Sequence, residues 1–182
     1  DVKKKENYDY KIRVIGSNIG LERFYLDVDP VSIIQDLIKI SNPNPGEKTI
    51  FVWPEGIYPN ISNEDLIEYN WLFKEKFNEN HLFIIGINSH SMNGENKNYF
   101  NTLSVYDNNL NLLDSYYKIN LVPFGEFLPF EDTLKKIGLR SLTNNYQSFS
   151  KGEKRKIIQI KKENFSLRFL PLICYEIIYS GK

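Results

Sequence analysis

Two short apolar runs limit what this chain can fold into. Residues 49–53 read Thr-Ile-Phe-Val-Trp, and residues 82–87 read Leu-Phe-Ile-Ile-Gly-Ile. Neither alternates with polar residues, so neither suits a sheet with one face in water. Runs of this length and composition are strands covered on both faces.

The flanking segments offer the cover. Asp29-Pro30 supplies an N-cap and a proline at the first helical position. The helix that follows places Ile33, Ile34, Leu37 and Ile38 on one face. Ser41-Asn42-Pro43-Asn44-Pro45-Gly46 stops it. Ser62, with Asp65 three residues on, predicts the cap of a second helix whose apolar side is Leu66, Ile67, Trp71, Phe73 and Phe77. A first strand is predicted at 11–15, before both helices.

Beyond residue 87 strands dominate. Residues 102–106 and 112–117 flank the turn Asp107-Asn108-Asn109. A short helix is predicted over 132–137, stopped by Gly138. Residues 156–160 and 166–174 read as a hairpin turning near Lys162-Glu163-Asn164. Strand and helix in alternation, then strands, predict an α/β chain: a layered sheet with helices outside. Residues 1–10 read as a polar lead-in and 11–182 as one domain, since 182 residues are too few for two ordinary ones.

Composition removes some functions. Lys plus Arg and Asp plus Glu are both 23, so no net charge favours nucleic acid. The basic stretches Lys3-Lys4-Lys5 and 151–162 read as a solvated terminus and a solvated hairpin. No run approaches the roughly 20 apolar residues of a membrane-spanning helix. The first eleven residues lack the apolar centre of a signal peptide. Cys174 is the one cysteine, so no internal disulfide can form.

Three motifs carry candidate chemistry. In Trp53-Pro54-Glu55-Gly56 a carboxylate follows an apolar strand, with Pro54 and Gly56 setting the bend. Taken alone, such a Glu is ordinarily a solvated loop residue. In the second motif Lys118 ends a strand and is followed by Leu121-Val122-Pro123-Phe124-Gly125-Glu126. A partly buried ammonium can stabilise a developing oxyanion. The apolar stretch is either a loop covering the core or a wall for an apolar substrate. Glu126 is costly there unless paired, with Lys118 or a backbone donor as partner. In the third motif, Ile173-Cys174-Tyr175-Glu176, a cysteine ends an apolar strand. It is either a small buried hydrophobe or a nucleophile activated by a base or a lowered pKa.

In this order, the three motifs resemble the carbon–nitrogen hydrolase (nitrilase) superfamily. The Val-Pro-Phe-Gly-Glu and Cys-Tyr-Glu forms resemble its apolipoprotein N-acyltransferase branch, and Asn18-Ile19 resembles that family's opening strand. The resemblance implies a nitrilase-like αββα sandwich, incomplete in this chain because family members continue beyond the cysteine motif. It implies Glu55 as general base, Lys118 as oxyanion stabiliser and Cys174 as nucleophile. Glu126 is implied as a required carboxylate, with Tyr175 and Glu176 supporting the nucleophile.

The implied reaction moves a fatty acyl group from a phospholipid, through a Cys174 thioester, to the N-terminal amine of a diacylglyceryl-cysteine apolipoprotein. It uses no metal or organic cofactor; His81 and His90 lie far from the motifs. The implied location is the periplasmic face of a bacterial inner membrane, reached through membrane segments absent from this chain. Phe124, Phe127 and Leu128, with Pro129 and Phe130, are the candidates to face lipid. Two departures stand out: Asn120 where the family often has His, and Gly16 where Gln is common. Two other readings compete. One is a soluble amidase of the same superfamily acting on a small amide. The other is a non-catalytic remnant.

Overall fold

The computed structural model describes residues 9–16, 29–56, 58, 61–94, 96–130 and 148–179. The sheet contains β1 (Lys11–Val14), β2 (Thr49–Trp53), β3 (His81–Asn93), β4 (Asn96–Asp107) and β5 (Leu112–Tyr117), side by side in chain order. β1, β2 and β3 run parallel; β3, β4 and β5 pair antiparallel. Parallel neighbours need a crossover, and α1 (Pro30–Ser41) supplies the first. A 3-10 helix (Leu66–Tyr69) and α2 (Asn70–Lys74) lie in the second. β6 (Ile158–Lys162) and β7 (Phe165–Phe169) form a separate hairpin.

Covering the sheet on both faces accounts for the apolar runs. On one face Phe51, Trp53, Phe83, Ile85 and Ile87 meet Ile33, Ile34, Leu37 and Ile38 of α1, together with Leu66, Leu72, Phe73 and Phe77. On the other face Ile50, Leu82, Ile84, Val105 and Tyr116 meet Ile158, Ile160, Phe165 and Leu167 of the hairpin. Helices, sheet and second sheet are three successive layers of an αββα sandwich. The helix side is rich in aromatics, with Phe77 edge-on to Phe83 at 4.7 Å between ring centres. Such pairs add about 0.5–1.5 kcal/mol beyond the area they bury.

α1 forms as its sequence predicts. The Asp29 carboxylate accepts from the Val31 and Ser32 N–H groups, each at 3.2 Å. Asn42 ends the helix in the left-handed region, φ 42°, its N–H reaching the carbonyls of Ile38 and Lys39. Arg13 then caps the carbonyls of Ser41 and Asn42 at 2.5 and 2.7 Å.

The second crossover departs from expectation. Ser62 does not cap a helix. It bridges to Asn88 of β3, and its hydroxyl donates to Asp65 at 2.6 Å. The chain then passes through a 3-10 turn, whose three-residue period rotates the buried face. Leu66, Leu72, Phe73 and Phe77 point inward, while Ile67 and Trp71, assigned to the apolar side, are exposed.

β7 also ends earlier than expected, at Phe169 rather than at the cysteine. Pro171 has no N–H to give a ladder. Cys174 therefore opens a 3-10 helix (Cys174–Tyr179) instead of ending a strand. Lys156 and Lys162 pair with Asp114 at 2.5 Å and Asp107 at 2.7 Å, so the basic hairpin is tied down rather than only solvated. Asn18-Ile19, the helix at 132–137 and the basic residues 3–5 lie outside the described residues. Among the described residues no helix is long and apolar enough to cross a membrane.

Candidate active site

Three chain segments converge at one end of the sheet. The first leaves β2 at Trp53, whose indole N–H donates to the buried Ser41 hydroxyl at 3.0 Å, fixing the strand end to α1. Pro54 and Gly56, φ 73°, make the bend between them, and Glu55 sits in it. Its backbone lies directly on β3 at Gly86. A Cβ there would come within 2.6 Å of both the nitrogen and Cα of Glu55. Gly86 is thus the opening in a buried strand that lets Glu55 settle against the sheet.

The second segment leaves β5 at Lys118. Its N–H donates to the Asn101 carbonyl of β4, and its carbonyl accepts from Gly152, both at 2.9 Å. Gly152 has no room for a side chain, since a Cβ would lie 2.2 Å from the Tyr117 carbonyl oxygen. With its backbone held on both sides, the Lys118 side chain is only 1% exposed. The ammonium donates to Glu126 Oε1 at 2.8 Å and to Glu55 Oε1 at 3.4 Å. Glu126 also accepts the Val122 N–H at 2.8 Å on Oε2. Both partners foreseen for Glu126, a lysine and a backbone donor, are therefore present.

Burial opposes the charge on Lys118. The hydrogen bond to Glu126 and the fields of Glu55, Glu126 and Cys174 outweigh it, so the ammonium sits above its ordinary pKa of 10.5. It stays protonated across the physiological range. A charge so placed costs no reorganisation when negative charge develops beside it.

The third segment carries Cys174. Its thiol is exposed, and its backbone adopts φ 52°. A non-glycine residue in the left-handed region costs on the order of 1–3 kcal/mol and is held there by its surroundings. The holding group is Glu176, which is fully buried. Its Oε2 accepts the Ile173 N–H at 3.0 Å. Its Oε1 accepts from the Tyr116 hydroxyl at 2.9 Å and from the N–H groups of Ile119 and Asn120 at 2.8 and 3.1 Å. One carboxylate thus ties the segment after Lys118 to the turn before Cys174. Burial, and then the bond to Glu176, hold the Tyr116 hydroxyl well above its usual pKa, so it remains a donor.

A cleft of about 370 Å³, lined by Leu121, Val122, Pro123, Phe127, Tyr175 and Ile178 among others, borders the segment after Lys118 and the residue after Cys174; Glu55, Lys118, Glu126 and Cys174 themselves do not line it. Of the apolar candidates, Phe127 lines it. Phe124 is 73% exposed and Leu128 half-buried, and neither lines the cleft. Lys151 places its ammonium 5.7 Å from the Phe127 ring centre. Tyr175, next to Cys174 in the chain, is exposed and lines the cleft.

The residue that sequence reasoning missed is Asn101. It is buried in β4, and its amide nitrogen donates to Glu55 Oε1 through a short hydrogen bond and to Glu126 Oε1 at 2.6 Å. The only signal was an Asn inside the β-rich stretch Phe100-Asn101-Thr102, where strand propensity disfavours it. Among the described residues no group of three His, Cys, Asp or Glu side chains could hold a metal.

The chain has relatives in sequence. Over 161 residues the chain is 32% identical to an apolipoprotein N-acyltransferase of Rhizobium leguminosarum bv. trifolii, covering 84% of this chain and 29% of that protein. Over 182 residues it is 26% identical to an apolipoprotein N-acyltransferase of Brucella suis, covering 96% and 33% respectively. The chain is homologous to the apolipoprotein N-acyltransferases. It spans about a third of the length of these curated relatives, 29% and 33%. No family model matches it. Among solved structures it is similar to an N-terminal amidase (13% identity, TM-score 0.46, 87% of this chain and 38% of that one). It is also similar to an amidase from the nitrilase superfamily of Nesterenkonia AN1 (15% identity, TM-score 0.39, 71% and 45%).

Proposed function

We propose that this chain is the catalytic domain of an apolipoprotein N-acyltransferase, with Cys174 as nucleophile, Glu55 as general base and Lys118 as oxyanion stabiliser. One observation carries the reading: the buried Lys118 ammonium is fixed between Glu55 and Glu126, within the field of the exposed Cys174 thiol.

The chemistry divides into two balanced half-reactions. Glu55 takes the thiol proton, and the Cys174 sulfur attacks an ester carbonyl of a phospholipid. The new oxyanion is stabilised by Lys118. The ester C–O bond breaks, and the departing alkoxide takes the proton back from Glu55, leaving a lysophospholipid and a thioester. The N-terminal amine of a diacylglyceryl-cysteine apolipoprotein then attacks that thioester. The amine's proton passes through Glu55 to the departing thiolate, so an amide and the free thiol result. Glu126 keeps the ammonium in place throughout, and Glu176 holds the cysteine turn. The apolar wall of the cleft, Phe127 included, suits an acyl chain. The domain works at the periplasmic face of a bacterial inner membrane.

The test is intact-protein mass spectrometry after incubation with phospholipid vesicles. A fatty-acyl adduct on Cys174, absent in Cys174→Ala, supports the reading. If lipid leaves no adduct while Cys174 reacts with small amides, the protein is an amidase instead.

A further inference from the structure

We infer that Asn101 is a positioning residue that fixes the general base, an inference that rests on the reading of Glu55 as that base. Four polar atoms form a closed ring. Lys118 Nζ donates to Glu55 Oε1 at 3.4 Å and to Glu126 Oε1 at 2.8 Å. Asn101 Nδ2 donates to the same two oxygens, at 2.6 Å for Glu126 and closer still for Glu55. Donors and acceptors alternate around the ring. An amide nitrogen has two hydrogens, and here each serves a different carboxylate. The amide orientation follows: turning it over would set a third acceptor oxygen against two others.

The distances show why Lys118 alone does not suffice. Its short bond goes to Glu126, and its contact with Glu55 is long. The Glu55 side chain is 36% exposed, against 11% for Glu126 and 1% for Lys118. Without Asn101, Glu55 is free to turn toward water. Asn101 is anchored in β4 between β3 and β5, and its carbonyl receives the Lys118 N–H. One residue therefore positions both the carboxylate and the lysine backbone. Both bonds that Glu55 receives from this ring fall on Oε1, leaving Oε2 for the thiol proton. Asn101 also does this without charge. A lysine in its place would bring a second cation against the carboxylate and weaken it as a base.

The experiment compares Asn101→Ala, Asn101→Ser and Asn101→Asp in the full chain. It reads the rate of Cys174 alkylation by iodoacetamide between pH 5 and 8, with circular dichroism as the check on folding. Alkylation needs the thiolate but neither lipid nor acceptor. If wild-type protein forms no acyl adduct from phospholipid, the proposed function fails while this comparison stays readable. Asn101→Ala and Asn101→Ser are expected to slow alkylation on the order of 10²-fold, the cost of a base misplaced by about 1 Å. Asn101→Asp is expected to be slower than alanine at pH 8, because a third carboxylate repels the two already present. Its rate relative to alanine then rises toward pH 5, as the aspartate takes a proton and can donate again. A residue that merely filled space would give the reverse order, with the isosteric aspartate matching or exceeding alanine at every pH. That order, an unchanged alkylation rate, or loss of fold in both Ala and Ser variants overturns the inference.

Discussion

Glu126 and Glu176 are two carboxylates taken out of water within the same site, and they are satisfied in opposite ways. Glu176 accepts four hydrogen bonds from neutral donors: a tyrosine hydroxyl and three backbone N–H groups. Its partners belong to two different segments, so it acts as a knot. Glu126 shares a cation and an amide and takes one backbone N–H. Its principal partner is the buried Lys118 ammonium, so it acts on charge. Burial alone does not tell these roles apart; the identity of the donors does. A carboxylate held by backbone fixes shape, and one held by an ammonium fixes electrostatics.

Substitutions can break this contrast. Glu126→Gln keeps the size of the side chain but removes one of the two carboxylates facing Lys118. Acyl transfer should fall on the order of 10²–10³-fold, the scale seen when an oxyanion donor is lost. The melting temperature should fall as well, because the new amide nitrogen must face the ammonium or the Val122 N–H. Steady-state kinetics and a melting curve on the same preparation check this. Glu176→Gln should do the reverse in emphasis. Its amide nitrogen must face at least one backbone N–H, leaving a buried donor unsatisfied at a cost of about 1–3 kcal/mol. Denaturant unfolding should report that loss, and activity should fall only as far as the cysteine turn loosens. Equal losses of acyl transfer in the two variants would erase the distinction.

Gly86→Ala addresses the remaining carboxylate, Glu55. The added methyl meets backbone at 2.6 Å, so either β3 or the Glu55 bend must move. Overpacking of this kind costs about 1–3 kcal/mol. The rate of Cys174 alkylation should fall along with stability, whereas Gly46→Ala, whose nearest neighbour is an Asn44 side-chain oxygen at 3.6 Å, should change neither.

The smallest effect concerns pH and His81, at the start of β3. Desolvation, opposed by the hydrogen bond to the Asn44 carbonyl and the field of Glu79, lowers the pKa of His81 below 6.5. Its Nδ1 accepts the Asn78 N–H at 3.0 Å, so the neutral ring is the one that fits. A histidine depressed in the folded state contributes stability that is complete above the unfolded pKa of 6.5. That stability is lost as pH falls below 6.5 toward the folded value. The melting temperature should therefore drop on acidification from pH 7 to 5, by less in His81→Gln. An identical slope in both would remove His81 from the account of acid sensitivity.

Much of this was legible in the sequence, for identifiable reasons. α1 carried its start, stop and buried face in local chemistry: Asp29, Pro30, Asn42 and the Ile33 to Ile38 spacing. The buried strands announced themselves because both sheet faces are covered. The cost of burying Glu126 pointed to its partners before any geometry was known. What escaped depended on long-range placement. The 3-10 turn at Leu66 exists because Ser62 is tied to β3, a contact across 26 residues. Cys174 leaves the strand because Pro171 ends the ladder, and the strained turn needs Glu176 to hold it. Asn101 has an unremarkable neighbourhood in sequence, and only the pairing of β4 with β5 sets it opposite Lys118.

The central claim is that Lys118, held between Glu55 and Glu126, makes acylation of Cys174 possible. Single-turnover mass spectrometry of the full chain with phospholipid vesicles tests it most directly, comparing wild type with Lys118→Met. Wild-type protein should accumulate an acyl thioester on Cys174, and Lys118→Met, with its fold verified by circular dichroism, should accumulate none on the same timescale. Acylation of Lys118→Met at the wild-type rate would contradict the claim.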